Sequence, residues 1–517
     1  MGGQYRGGAW TAPLSIMRAM ASQQNSEAVD MPGCKAFHGA KTLVFGLGIL
    51  GGGVATTNWL IQHGADVTVT DLKDRTQFAP ALRRLQGEVR LRWGGHREDD
   101  IGESDIVIFN PDIPVRSPWV ALALRLNKRI ENEATLFYRL CKVPIVAITG
   151  TRGKTTTTSW TKHFITSTAR AVLAGNSPGN PFLATLARLE RISRDPQKRS
   201  DSKPLMVVNE LPSYHLEYLQ LLDKGPDVAV ITNVSPDHLN RHPSMEDYVD
   251  TKAKIFSRQT PSQHLILNFE NKWTGYILRK PRPGKTWLFA KGELPGEFRG
   301  VYYANEAIYF RHAALETGRK VLDAGSFVSA KGGHNLENLL ASVLAAHLAG
   351  VPWTLIQRRI HSLPQIPFRQ QVVFEDSHLA IVNDNAATSP EGSIAAIRRF
   401  GGESCLLITG GTDRDLDYGD WAPAVKQFIR PGNLIFLAGS ATRKMVAVLG
   451  DYVNGAPALS SLAECFDVAI ERAGKFPKAT IVFSPGAKSF EKYRNEFERG
   501  RDINRLIKRE ANKWIQS

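Results

Sequence analysis

Three stretches of the chain share one pattern: a short apolar, largely β-branched run, a break in glycine or polar residues, then a longer mixed segment. The first, TLVFGLGILGGGVATTNWLIQHGADVTVTD, predicts a strand, a glycine turn, a helix and a second strand that ends at Asp71. The second begins near Glu133. It holds PIVAIT (Pro144–Thr149), read as a buried parallel strand, and TTTTSWTKHFI, read as a helix despite the poor propensity of threonine. Two further apolar runs in it, LMVVNE and VAVITNV, end in the polar segments ELPSYHLE and SPDHLNRH. The third begins near Pro364 and carries LAIVNDNAATSP, LLITGGTDRDLD, LIFLAGS and TIVFSPGAKSF, apolar strands that end in Gly, Asp and Ser. The pattern predicts an α/β protein of three domains over 41–132, 133–363 and 364–517, with 1–40 a disordered extension. Open parallel sheets collect ligands at the carboxyl ends of their strands, so the polar segments of the second stretch are expected to converge on one edge.

Composition narrows the class. At 517 residues and 42% hydrophobic, the chain is too long for one ordinary core, and its length suits about three domains. Cys34, Cys141, Cys405 and Cys465 lie far apart with no CxxC pair. Neither a zinc site nor a disulfide framework is indicated, and a reducing cytoplasm fits. Two uncharged stretches, Thr42–Ile61 and Leu339–Ile356, are broken by glycines or by His347 and Pro352, so no membrane insertion is expected. The first forty residues lack the apolar core of a signal peptide, and Met17, Met20 and Met31 leave the start open. The formal charge of +15 permits nucleic-acid binding. In the basic stretch LARLERISRDPQKRSDSK, however, acids are interspersed and no aromatic interleaves. It reads as a solvated helix end and loop, without a nucleic-acid partner, and the charge suits polyanionic small substrates.

Chemistry enters at GTRGKTTTT (Gly150–Thr158), which has the Gly-Lys-Thr of a phosphate loop but Ile148 where the loop's first glycine should stand. Strand, glycine turn and helix nevertheless follow in order. Such a turn aims backbone N–H groups and the positive end of a helix at one spot. Lys154 adds a full charge there, and Thr155 offers a hydroxyl to a magnesium ion. Upstream, GLGILG fits G-x-G-x-x-G with Asp71 about twenty residues on, the spacing of a nucleotide fold; tight helix packing alone would explain the same glycines.

In sequence order, ITGTRGKTT, NELPSYHLE, ITNVSPDHLNRH, KGGHNLENLLAS, VNDNAATSP, ITGGTDRD and SPGAKSFEKYRNEFERG resemble the Mur ligases, specifically the MurD type that joins glutamate to UDP-N-acetylmuramoyl-L-alanine. The resemblance runs from Lys41 to the C-terminus, and it accounts for the missing glycine, because the family loop is the shortened G-T-x-G-K-[ST]-[ST]. It implies a Rossmann-like N-terminal domain for the UDP moiety, a central P-loop ATPase domain and a Rossmann-like C-terminal domain for the amino acid. ATP and Mg2+ are the implied cofactors; NAD is not needed. Peptidoglycan precursor synthesis in the cytoplasm, by a monomer, is the implied setting.

By the same resemblance Gly46, Gly48, Gly51, Asp71 and Asn176 meet the UDP substrate. Gly150, Thr151, Arg152, Gly153, Lys154, Thr155, Thr156, Asn335, Asn338, Arg369 and Asp384 meet ATP. The catalytic set is Lys154, Glu210, His238 and Lys252. Thr155, Glu210 and His238 are implied metal ligands, joined by Lys252 in a carbamylated form. Thr388, Arg414, Ser489 and Phe490 match the glutamate pocket, where a guanidinium suits a carboxylate.

Several positions depart from the family. Arg152 replaces Asn; Ala386 stands where Lys is preferred and Gln371 where an acid is usual; Pro212 and His215 replace Ser and Gln. SPGAKSF stands for SPACASF, and Glu496 occupies an aromatic position. Whether D- or L-glutamate is joined stays open. Two alternatives also remain: a folate- or polyglutamate-type ligase of the same superfamily, which would lack the GLGILG domain, and a basic nucleic-acid-binding ATPase.

Overall fold

The buried strand Lys41–Phe45 is the centre of the first sheet, flanked on one side by Asp66–Asp71 and Arg90–Trp93 and on the other by Ile106–Phe109 and Arg129–Glu131. All four pairings are parallel. The chain leaves the central strand in one direction and returns on the other side, so a crevice opens at the carboxyl end of Lys41–Phe45. The computed structural model describes residues 36–48, 51–175, 179–194, 203–239, 241–413, 415–453, 458–489, 493 and 495–516. Phe37, which the sequence pattern left in the N-terminal extension, is fully buried and stands edge-on to Trp59, so the first domain begins before Lys41.

The second sheet has nine strands, and its hub is Ile145–Thr149, every residue of which is buried. Leu205–Glu210 and Arg170–Gly175 lie on one side of it, and Val228–Ile231, His264–Asn268, Lys285–Ala290 and Gly300–Ala304 on the other, all parallel. An antiparallel extension through Ala307–Arg311 and Arg319–Asp323 completes it. The order again reverses beside the hub strand, which puts a second crevice at Thr149.

The third sheet runs Gln371–Glu375, Leu379–Asn383, Ala479–Phe483, Cys405–Thr409, Leu434–Leu437 and Ala458–Leu459. Only its first pairing is antiparallel. The chain separates into two compact units, one ending at Leu363 with the first two sheets and one starting at Pro364 with the third. The expected α/β class is what the structure has. Among the described residues no helix is long and apolar enough to cross a membrane.

Candidate active site

The phosphate-loop motif occupies the carboxyl end of the hub strand of the second sheet and opens helix Lys154–Ile165. Both of its glycines are required. Gly150 has φ 148°, and a Cβ there would collide with Thr232 Oγ1; Gly153 caps the helix at φ 78°, with its face against Asn338 Oδ1. The loop is braced from the neighbouring strand end: Thr151 N–H donates to Asn233 O at 2.9 Å, Arg152 N–H to Asn233 Oδ1 at 2.9 Å, and Thr232 Oγ1 to Arg152 O at 2.7 Å.

Two lysines meet inside this loop. Lys154 Nζ donates to Gly150 O at 2.8 Å and Thr151 O at 2.9 Å, while Lys252 Nζ, from helix Met245–Ala253, donates to the same Gly150 O at 3.0 Å. Lys252 is 1% exposed and sits 4.4 Å from the centre of the Tyr248 ring. Burial first, and the Lys154 charge second, hold its ammonium well below the usual lysine range. The shift favours the neutral amine, the form that reacts with carbon dioxide.

Glu210 closes strand Leu205–Glu210 and is registered with Ile148, so its carboxylate belongs to the same edge as the loop. His238 is half exposed at φ 54°, a left-handed conformation uncommon outside glycine and held here by its N–H bond to Asp237 Oδ1 at 2.9 Å. Asp237 also pairs with Arg152 at 3.3 Å; burial works to raise its carboxyl, but neighbouring His238, Arg152 and Lys154 hold it below the usual range. The departure of Arg152 from the family thus acquires a partner in the His238 segment. Asn335 and Asn338 lie where helix Leu336–Leu348 meets the loop helix: Thr157 Oγ1 donates to Asn338 Oδ1 at 3.3 Å, and Asn338 Nδ2 to Asn335 Oδ1 at 3.3 Å. Thr155 and Thr156 sit on the first turn of the loop helix, Thr156 buried.

At the first sheet, Gly46, Gly48 and Gly51 all have positive φ (94°, 65° and 101°). Asp71 accepts from Leu47 N–H at 2.9 Å and Gly48 N–H at 3.4 Å, so its carboxylate binds the glycine turn itself. This edge is joined to the second sheet through Arg241, whose guanidinium reaches Glu217 at 2.5 Å and Pro111 O at 2.7 Å. His215, the substituted position, donates from Nε2 to Glu133 Oε1 at 2.8 Å, below the start of helix Gly52–Gln62.

In the second compact unit, Asp384 follows strand Leu379–Asn383 and is buried, accepting from Ser484 Oγ at 2.8 Å and from Gln370 N–H at 3.0 Å. Burial pushes its carboxyl up to about 7 against these bonds. Arg369 lies in the turn before it, between Phe368 and Gln370, both at positive φ. Thr388 and Ser489 lie on the loops after Leu379–Asn383 and Ala479–Phe483. Asn176, Arg414 and Phe490 lie outside the described residues.

Arg499 escaped the sequence reading. It is 1% exposed, and it ties two strand-end loops together: Nε to Asn385 Oδ1 at 2.5 Å, and its terminal nitrogens to Asn385 O at 3.3 Å, Ala487 O at 3.2 Å and Lys488 O at 3.1 Å. Burial pushes its guanidinium down to about 10. Its only sequence signal was a place in FERG, inside a motif already singled out.

Among the described residues, no three His, Cys, Asp or Glu side chains gather closely enough to form a protein-only metal cage. A hydroxyl, one carboxylate and one imidazole at an anion-binding edge suit magnesium, which is commonly held by one or two carboxylates together with substrate phosphates.

The family model described as Mur ligase middle domain matches residues 148–346, and that described as Mur ligase MurD-like, N-terminal domain matches 40–131. The chain is 34% identical to a UDP-N-acetylmuramoylalanine--D-glutamate ligase of Roseiflexus sp. (strain RS-1), over 91% of this chain and 98% of that protein. It is 30% identical to the protein of the same name from Geobacter metallireducens, over 91% and 97%. In fold it resembles a UDP-N-acetylmuramate-alanine ligase from Thermotoga maritima at a TM-score of 0.53 and 18% identity, covering 92% of this chain and 100% of that one. A MurF from Acinetobacter baumannii gives 0.52 at 13% identity, covering 95% and 97%. With shortened phosphate loop, paired lysines and near full-length relatives all in agreement, the chain belongs to the Mur ligase family.

Proposed function

We propose that this protein is an ATP-dependent ligase that joins D-glutamate to UDP-N-acetylmuramoyl-L-alanine, forming ADP and phosphate, in peptidoglycan precursor synthesis in the cytoplasm. The observation that carries the reading is the convergence of Lys154 and Lys252 on the Gly150 carbonyl, at a sheet edge that also holds Glu210. The names of the relatives supply the substrate pair and the D configuration.

A carboxylate is a poor electrophile because its oxygen is a poor leaving group. Transfer of the γ-phosphoryl group of ATP to that oxygen makes an acyl phosphate and releases ADP. Attack by the glutamate amine then forms the amide, with phosphate leaving and the amine proton passing to base. Both steps gather negative charge, so the residues here act chiefly by electrostatics. Lys154 leaves its loop carbonyls for phosphate oxygens, and the loop N–H groups hold the phosphates in place. Thr155, Glu210 and His238 would hold magnesium, which supplies charge neutralisation at the phosphates. Lys252 is the residue proposed to be carbamylated; its burial, which disfavours the ammonium, supports that chemistry.

A coupled assay of ADP release tests the reading. Turnover is expected only when both UDP-N-acetylmuramoyl-L-alanine and D-glutamate are present. Steady ADP release without either, or equal turnover when a folate replaces the UDP substrate, sinks it.

A further inference from the structure

The loops after strands Leu379–Asn383, Cys405–Thr409 and Ala479–Phe483 meet at one edge of the third sheet. Two of them are zipped by backbone bonds, Thr412 N–H to Lys488 O at 2.9 Å and Lys488 N–H to Thr412 O at 3.1 Å. Across from this bridge, Lys488 Nζ donates to Thr388 Oγ1 at 3.2 Å. The side chain thus reaches the loop that carries Ala386, whose carbonyl accepts the Thr388 N–H at 2.9 Å.

That placement links two departures that looked unrelated along the chain. Lysine is absent at 386, where the resembling motif prefers it, and present at 488, where SPACASF has alanine. Structure brings the gained lysine to the loop that lost one. A small cleft beside it is lined by Gly411, Thr412, Lys488, Ser489 and Tyr493. Ser489 Oγ, in a residue 4% exposed, has no hydrogen-bond partner among the described residues. A buried hydroxyl in that condition carries a cost that an acceptor from a ligand would remove.

We propose that Lys488 is a specificity-determining residue of this ligase, supplying from the Ala479–Phe483 loop the cation that receives a carboxylate of the incoming glutamate, in place of a lysine at 386. Ser489 Oγ donates to the same carboxylate. The inference rests on the reaction assigned above. Arg499 is a positioning residue in this arrangement, since it holds the carbonyls of Ala487 and Lys488 from beneath.

The test is a set of four full-length proteins, wild type, Lys488→Ala, Lys488→Gln and the exchange Ala386→Lys with Lys488→Ala, assayed by ADP release with D-glutamate and ATP varied in turn. Either single variant is expected to raise the glutamate KM by about tenfold or more while leaving the ATP KM within about twofold. Glutamine at 488 keeps a donor for Thr388 without the charge, so it separates charge from a simple tie between loops. The exchange is expected to recover glutamate KM to within about threefold of wild type. Unchanged glutamate KM in both single variants, or glutamate and ATP KM rising together, overturns the inference. So does an exchange variant that recovers nothing. A wild-type enzyme whose ADP release ignores glutamate overturns the reaction assignment instead, and the inference falls with it.

Discussion

Two glycine turns in the first compact unit are built alike and filled differently. Each follows the hub strand of a parallel sheet and opens a helix, at Gly52 in one case and Lys154 in the other. In the first, the Asp71 carboxylate from the adjacent strand accepts the N–H groups of Leu47 and Gly48. In the second, Lys154 and Lys252 lie on the loop's own Gly150 carbonyl, and the Asp237 carboxylate meets the Arg152 side chain at 3.3 Å, outside the backbone turn. An anion-binding turn can therefore be held either by an internal anion, which shapes it and tempers its charge, or by internal amines, of which the Lys154 ammonium adds to its charge and can be drawn off by phosphate. The second arrangement suits the phosphates that react, and the first suits a group that is only held.

The comparison predicts unequal damage. The largest effect is expected for Lys154→Ala, a loss of at least about 100-fold in kcat with ADP release as the readout, because the charge acts mainly on the transition state. A loss below tenfold would place the two turns on the same footing. Next comes Gly150→Ala, where the added Cβ meets Thr232 Oγ1 at a φ of 148°. It is expected to weaken ATP binding by about tenfold or more, read by calorimetry with a non-hydrolysable analogue, through a loop forced to shift. Asp71→Asn should be milder: it keeps the shape but halves the acceptors, so the KM for the UDP substrate is expected to change by about three- to tenfold, with ATP KM unmoved. Equal changes in both constants would show the turns to be coupled.

The smallest effect concerns stability. Burial holds the folded-state titration of Lys252 well below that of the unfolded chain, which binds its proton up to the ordinary lysine value. Between those two titrations unfolding takes up a proton, and stability rises with pH toward about 10.5. Lys252→Met removes this cost. Its Tm is expected to exceed wild type by a few degrees near pH 7, with the gap narrowing as pH climbs toward 10. A gap that is constant with pH would mean that burial does not depress the titration of this amine.

Much of the fold was legible because local pattern and burial agree. PIVAIT reads as a buried strand and becomes the fully buried Ile145–Thr149; GTRGK reads as a turn and becomes one, with glycines at the positive φ values it needs. Phe37 was not legible, since one aromatic beyond the patterned run gives no periodicity, and its burial comes from tertiary contacts such as Trp59 of helix Gly52–Gln62 and the Arg129 side chain. Arg499 was hidden for a related reason. A lone arginine in a charged helix reads as surface, and its burial depends on carbonyls contributed by loops from elsewhere in the chain.

What the sequence by itself determined was the run of strands, the punctuating glycines and the types of group available to bind phosphate and carboxylate, because these follow from side-chain shape and short-range backbone sterics. Tertiary structure decided which of those groups meet. It turned Asp71 onto its own turn, carried Lys252 to a carbonyl about a hundred positions away, and set Lys488 beside the loop of Ala386. Such meetings depend on strand order at the reversal of a sheet, where segments remote in sequence share one edge, and no local preference encodes that order.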